Sequence, residues 1–329
     1  MKRIAINGFG RIGRAALKVI MESPELEIIA VNDLLHMENA AYLLRHDSVY
    51  GKYEKEVSIH GDHFHIGGKK VKYLSEKDPA NLPWKELHID VVIESTGFFT
   101  NREDAEKHIR AGAKTVVISG PTKSKDTPTV VHGVNTADGR VSIFSCASCT
   151  TNSISPLIEI LGRRIGIKKA ILNTTHAYTA SQSLVDGPSK KEPRMGRAAG
   201  MNLAPAATGA AIATTKALPQ YAGKFDGIAV RSPVVVGSIS DVTFIAARPT
   251  STEEINNIFK EESDTDRYRE VLAVTDEPLV STDIIKSAYA ATVDLELTRV
   301  VDGDLVKVMA WYDNEWGFTN QMIRQILSL

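Results

Sequence analysis

Two residues in the middle of the chain are of the types that covalent acyl chemistry needs. Cys149 stands in Ser145-Cys146-Ala147-Ser148-Cys149-Thr150-Thr151-Asn152, among hydroxyl and amide side chains, just before a stretch that reads as a helix. A thiol at a helix entry faces backbone N–H groups and the positive end of the helix dipole, and both favour thiolate. His176 follows in Thr174-Thr175-His176-Ala177-Tyr178-Thr179, a polar break after the apolar run Ala170-Ile171-Leu172. A thiolate beside an imidazole is the minimum set for nucleophilic catalysis, with the ring as proton acceptor and then as donor to an oxyanion. The polar neighbours argue against Cys149 as a small core residue. Pro156 falls inside the expected helix, so the helix either kinks there or starts at Ser155-Pro156. The remaining histidines (His36, His46, His60, His63, His65, His88, His108 and His132) have no chemical neighbour in the sequence.

Cys146 and Cys149 form C-x-x-C. No second cysteine pair completes a zinc site, and no metal is expected. The spacing leaves open that Cys146 resolves a sulfenic acid on Cys149.

The start of the chain supplies a nucleotide site. Lys2 to Ile6 reads as a buried strand, and glycines follow at Gly8, Gly10 and Gly13 around Arg11 and Ile12. An apolar helical pattern comes next, then a second strand from Leu26 to Val31 that runs into Asp33. This is the order of a Rossmann dinucleotide unit: tight turn, close backbone approach to a pyrophosphate, helix packing, and an acid for the ribose. Asp33 would repel a 2′-phosphate, and no Lys or Arg lies between residues 32 and 44, so NAD is favoured over NADP. Strands at Val91–Glu94, Thr115–Ser119 and Val141–Phe144 alternate with a helix from Arg102 to Gly112. Thr96, Gly97 and Ser119 fall at strand ends, either as cofactor contacts or as plain turn residues.

The pattern changes after about residue 148. Residues 178–204 are rich in Ser, Gly, Pro, Lys and Arg and read as a long irregular segment. A helix is expected from Ala206 to Leu218, then strands at Gly227–Arg231, Val234–Val236, Ser240–Ala247, Ala288–Leu297 and Leu305–Trp311, and a last helix from Asn320. The fold class is therefore α/β: an N-terminal Rossmann-type doubly wound sheet, plus an α+β catalytic domain with a mostly antiparallel sheet. Arg194, Arg197 and Arg231 lie in polar breaks, and Thr208-Gly209 opens a helix whose amides could hold an anion. Asn314, in Asp313-Asn314-Glu315-Trp316, offers both a donor and an acceptor to a carboxamide, or else belongs to an acidic loop.

Composition excludes other classes. With 39 Lys and Arg against 40 Asp and Glu, the net charge of −1 gives no field to draw nucleic acid or an acidic membrane. No apolar run reaches the roughly 18 residues of a membrane span. Two cysteines cannot build a disulfide scaffold, which points to a reducing, cytoplasmic setting.

The segments INGFGRIGR, VNDL, YLLRHDSVYGKY, ESTGFF, CASCTTN, THAYT, VDGPS, TGAA and WYDNEWGF resemble the phosphorylating glyceraldehyde-3-phosphate dehydrogenases, over nearly the whole chain. The resemblance implies a homotetramer. It implies a dinucleotide domain over 1–148 and a catalytic domain over 149–313, with the last helix, about 314–329, packed back on the first. Cys149 matches the nucleophile and His176 its base. Arg11, Ile12, Asp33, Lys77, Ser119 and Asn314 fall on cofactor positions, beside Gly8, Gly10, Gly13 and Thr96 of the motif itself. Ser148, Thr150, Thr208 and Gly209 match the inorganic-phosphate side. Thr179 and Arg231 match the substrate-phosphate side, and Arg194 lies in the matching irregular segment. Leu34 and Pro188 resemble the NAD-using members. The chain departs from the family pattern at Cys146, Ser153, Ala207 and Arg231-Ser232-Pro233-Val234. The reaction implied is oxidation of D-glyceraldehyde 3-phosphate by NAD through a Cys149 thiohemiacetal and thioester, released by inorganic phosphate as 1,3-bisphosphoglycerate. Its rivals are erythrose-4-phosphate oxidation, a water-accepting variant, and a nucleotide-binding regulatory protein without turnover.

Overall fold

The first strand, Lys2–Asn7, carries buried Ile4, Ala5 and Ile6 in succession, as a strand covered on both faces must. In the computed structural model, which describes residues 1–137, 141–189 and 192–329, it lies at the centre of an eight-stranded sheet among the described residues. On one side of it come Val91–Glu94, Thr115–Ile118 and Ile143–Ser145, and on the other Leu26–Asn32 and Lys69–Leu74, all parallel. An antiparallel hairpin, Val57–His60 and His63–Ile66, closes the far edge. Strand order reverses beside Lys2–Asn7, so a crevice opens at the carboxyl ends of that strand and of Val91–Glu94.

The chain divides into two compact units: residues 1–130, 136–147 and 322–329 form one, and 131–135 with 148–321 the other. In the first unit Lys2 Nζ donates to the carbonyls of Ile326 and Leu327, satisfying orphan groups at the end of the last helix. In the second, a seven-stranded mixed sheet among the described residues runs in the order Ala204–Ala207, Phe225–Ser232, Ile167–Ala177, Ser238–Ala246, Leu305–Tyr312, Ala291–Val301, Leu272–Thr275. Its pairs are antiparallel except Ile167–Ala177 with Phe225–Ser232 and Leu272–Thr275 with Ala291–Val301. Ile154, Leu157, Ile158 and Leu161 of the helix Cys149–Arg164 pack with Leu172, Val242, Phe244, Val306 and Val308 of the sheet. Both sheets have the character read from the sequence.

Several element boundaries differ from expectation. The helix Cys149–Arg164 starts at Cys149, not at Ser155, and runs through Pro156. Ala206 and Ala207 extend a strand, pairing with Ala229 and Ile228, and the helix that follows is Ala210–Ala217. Val234–Val236 form a turn rather than a strand. The last helix begins at Trp316. Ile143 opens the strand expected from Val141. Lys190 and Lys191, within the irregular segment 178–204, lie outside the described residues. Among the described residues no helix is long and apolar enough to cross a membrane.

Candidate active site

In the second unit, Ser148 takes extended backbone at the N-cap of Cys149–Arg164, and its hydroxyl accepts from Thr151 N at 3.1 Å. That cap lets the helix begin at the cysteine itself. His176 comes from the end of the long strand Ile167–Ala177, on the face that also buries Leu172 and Thr174. Cys149 Sγ and His176 Nε2 are 3.2 Å apart.

Behind them, the buried Tyr312 hydroxyl bonds Thr150 Oγ1 and Thr174 Oγ1, each at 2.9 Å, and its ring meets the imidazole edge-on. Tyr312 ties the helix start to the His176 strand. It sits in the WYDNEWGF stretch, but no spacing in the sequence predicts that role. Thr150, expected on a phosphate side, is turned inward to this tyrosine.

Arg231, on the strand beside His176, places Nη1 2.7 Å from His176 Nδ1 and 3.1 Å from the Ala177 carbonyl. That carbonyl is itself 2.6 Å from Nδ1. A protonated Nδ1 serves the carbonyl and an unprotonated Nδ1 serves the guanidinium, so Arg231 and the ring proton are linked. Burial, and then the Arg231 charge, push His176 down to about 4, which keeps it a neutral base. For Cys149 the expectation of a thiolate needs correcting. Burial pushes its thiol up, and Arg231 and the Thr150 and Cys149 N–H groups only partly offset that. Cys146 is buried and its thiol is pushed up to about 12 by burial, which disfavours it as a ready nucleophile. Both cysteines are free thiols.

The other predicted anion-site residues are spread along the same unit. Thr208 accepts from Ala210 N at the start of the helix Ala210–Ala217, for which Gly209 is the N-cap. Thr179 bonds Ser181 in an exposed turn, and Arg194 extends from the short turn Pro193–Gly196, 3.8 Å from Glu192. Asn314 is buried, with its Oδ1 accepting from Gly237 N and Ser238 Oγ, which leaves its amide N–H groups as the available donors.

In the first unit the crevice is a cleft of about 550 Å³, lined by Asn7, Gly8, Gly10, Asp33, Leu34, Lys77, Thr96, Phe98 and Phe99 among others. Gly8 has φ of +97°, and a Cβ there would meet Thr96 N at 2.5 Å. A Cβ on Gly13 would strike the Gly8 carbonyl, whereas Gly10 has no atom within 4 Å of where its Cβ would be. The turn is tight on two sides and open on the third, as a backbone cradle for a pyrophosphate requires. Asp33 is held by the N–H groups of Phe9 and Leu35, with its carboxylate at the end of the second strand. These residues fit a dinucleotide with free ribose hydroxyls. Arg11 pairs with Asp47 at 2.7 Å, Ile12 is half-buried on the helix that follows the glycines, and Ser119 N donates to the Glu94 carbonyl. Among the described residues no group of three or more His, Cys, Asp and Glu side chains could hold a metal ion.

Residues 2–102 match the family described as glyceraldehyde 3-phosphate dehydrogenase, NAD binding domain, and residues 148–314 match its C-terminal domain. This chain belongs to the glyceraldehyde-3-phosphate dehydrogenase family. The glyceraldehyde-3-phosphate dehydrogenase of Clostridium acetobutylicum is 44% identical over 332 residues, covering 99% of this chain and 98% of that protein. That of Zymomonas mobilis is 45% identical, covering 98% and 96%. The chloroplastic glyceraldehyde-3-phosphate dehydrogenase A of Scenedesmus vacuolatus is 46% identical, covering 94% and 100%. The chain is an NAD-dependent, phosphorylating dehydrogenase of the glyceraldehyde-3-phosphate dehydrogenase type, and its first domain binds NAD.

Proposed function

We propose that Cys149 is the nucleophile and His176 the base in the oxidation of D-glyceraldehyde 3-phosphate to 1,3-bisphosphoglycerate. The 3.2 Å approach of Sγ to Nε2 at a capped helix start supports this reading most directly. The thiol proton passes to Nε2 as sulfur attacks the aldehyde carbon, giving a thiohemiacetal. Nε2–H and the Cys149 N–H then stabilise its oxyanion, a contribution of roughly 3–4 kcal/mol per donor. NAD, when bound, supplies the hydride acceptor. Nε2–H gives its proton to the oxyanion and takes it back as the thiohemiacetal becomes a thioester; inorganic phosphate then displaces the Cys149 thiolate, which recovers that proton from Nε2.

The substrate phosphate is assigned to Arg231, Thr179 and Arg194. Drawing the guanidinium off Nδ1 frees the ring to give its Nδ1–H to the Ala177 carbonyl, which leaves the Nε2 lone pair facing sulfur. Inorganic phosphate is assigned to Ser148, Thr208 and Gly209, where the N-terminal amides of Ala210–Ala217 favour an anion; Thr150, whose hydroxyl is held by Tyr312, is left out of that set. Cofactor contacts are assigned to Gly8, Gly10, Arg11, Ile12, Gly13, Asp33, Lys77, Thr96, Ser119 and Asn314. The working division is 1–148 for the cofactor and 149–313 for catalysis, in a cytoplasmic homotetramer. Exposed Ile171, Ile228 and Leu305 on one sheet support assembly, since apolar patches of this kind mark interfaces.

Cys149→Ser should keep NAD affinity and lose turnover by several orders of magnitude. Turnover near the wild-type rate would refute the nucleophile assignment.

A further inference from the structure

His108 has no role in the chemistry above, yet it is fully buried in the first unit, and so are Trp84 and Glu94. The three form a chain of hydrogen bonds whose direction is fixed by their chemistry. Trp84 Nε1–H can only donate, and it lies 2.9 Å from His108 Nδ1. Nδ1 is therefore the unprotonated nitrogen, and the ring's one proton sits on Nε2. Nε2 in turn is 3.0 Å from Glu94 Oε2. The contact has the spacing of an ion pair, but with Trp84 in place it is a neutral imidazole donating to a carboxylate.

Glu94 accepts from three further donors. Asn7 Nδ2 donates to Oε2 at 2.6 Å, Thr96 N to Oε1 at 2.8 Å, and Thr96 Oγ1–H to the same Oε1 at 2.5 Å. Four donors on two oxygens make Glu94 an acceptor-only group, and none of the four carries a charge. Asn7 then passes the order on. Its Oδ1 accepts from Asn32 Nδ2 at 2.7 Å, and Asn32 Oδ1 accepts from Glu76 N at 2.8 Å. Asn7, Asn32, Glu76 and Thr96 all line the cleft described above, whereas Trp84, His108 and Glu94 do not.

We infer that Trp84 and His108 are positioning residues for the cofactor. They act through Glu94, which holds the Asn7 and Thr96 walls of the cleft at the spacing that NAD needs. The inference rests on the reading of that cleft as the NAD site. The single Thr96 hydroxyl proton is committed to Glu94, so Thr96 offers the cleft only lone pairs. Removing the Trp84 donor leaves His108 Nδ1 buried without a partner and the ring free to turn. Nε2–H is then no longer held on Glu94 Oε2, and the carboxylate, with Asn7 and Thr96 bonded to it, shifts with the ring.

The test is NAD binding to the full-length protein, by calorimetry and by the NAD-dependent rise in melting temperature, beside KM for NAD and kcat. Trp84→Phe and His108→Leu should weaken NAD binding and raise KM for NAD roughly tenfold, the scale of one buried polar group left unpaired. In both, kcat at saturating NAD should stay within about twofold, because the Cys149–His176 pair is untouched. His108→Gln can accept from Trp84 and donate to Glu94, so it should restore binding to within about threefold of wild type. If His108→Leu does not fold, Trp84→Phe and His108→Gln carry the comparison. Unchanged NAD affinity in Trp84→Phe, or a fall in kcat with affinity intact, would overturn the inference. Asp33→Ala tests the cleft reading separately. If that variant binds NAD as well as wild type, the cleft assignment fails whatever the Trp84 result.

Discussion

His176 concentrates the chemistry of this site in one ring. Its Nε2 faces Cys149, its Nδ1 is shared between Ala177 and Arg231, and its surroundings hold it neutral down to about pH 4. Freed in the unfolded chain, the same imidazole titrates near its ordinary 6.5. Between those two values the unfolded state binds the proton that the folded state refuses. Stability therefore falls as pH drops through that window. The melting temperature of the wild type should decline from pH 7 toward pH 4.5, and His176→Asn should flatten part of that decline. Identical pH slopes in the two proteins would contradict a buried neutral ring. At neutral pH the same substitution should lower kcat by roughly 10²- to 10⁴-fold, the usual worth of a positioned acid–base group. Cys149 and His176 were legible because each lies in a short polar stretch at an element boundary. Glu94, His108 and Trp84 were not: their partners are far apart in sequence, and a buried histidine reads no differently from an exposed one until the fold brings a donor to it. Arg231 was legible as a charge, but its bond to His176 depends on strand register.

At the level of elements, hydrophobic pattern found the buried parallel strands Lys2–Asn7, Leu26–Asn32, Val91–Glu94, Thr115–Ile118 and Ile143–Ser145 but not Val57–His60, His63–Ile66, Lys69–Leu74 or Leu272–Thr275, and local propensity misled where tertiary pairing prevailed. Ala206 and Ala207 favour helix, yet their backbones complete the edge of a sheet beside Ala229 and Ile228. Pro156 would break an isolated helix. Here its neighbours Ile154, Leu157 and Ile158 are buried in the domain core, and packing sustains the helix through the missing N–H. The second sheet also carries its own evidence of partnership. Ile171 and Ile228 are more than half exposed on adjacent strands, with Asn173 paired to Ile228 in register, so both isoleucines project from one face. If that face is a subunit contact, Ile171→Asp with Ile228→Asp should lower the assembly state seen in sedimentation while leaving the helix content intact. A wild type that sediments as a single chain would remove the homotetramer from the account.

For the molecule as a whole, a near-zero net charge means that selectivity for a phosphorylated substrate must come from local groups, for which Arg231 and the amides at Ala210 are the ones proposed above. In the proposed mechanism the energy of oxidation is kept as a thioester on Cys149 until phosphate takes the acyl group. NADH formation on mixing the enzyme with NAD and D-glyceraldehyde 3-phosphate, with and without inorganic phosphate, tests it most directly. Turnover should be sustained with phosphate and, without it, should show a burst that stops near one NADH per Cys149 as the acyl-enzyme accumulates. Sustained NADH formation without phosphate, at a rate that added phosphate does not change, would contradict it.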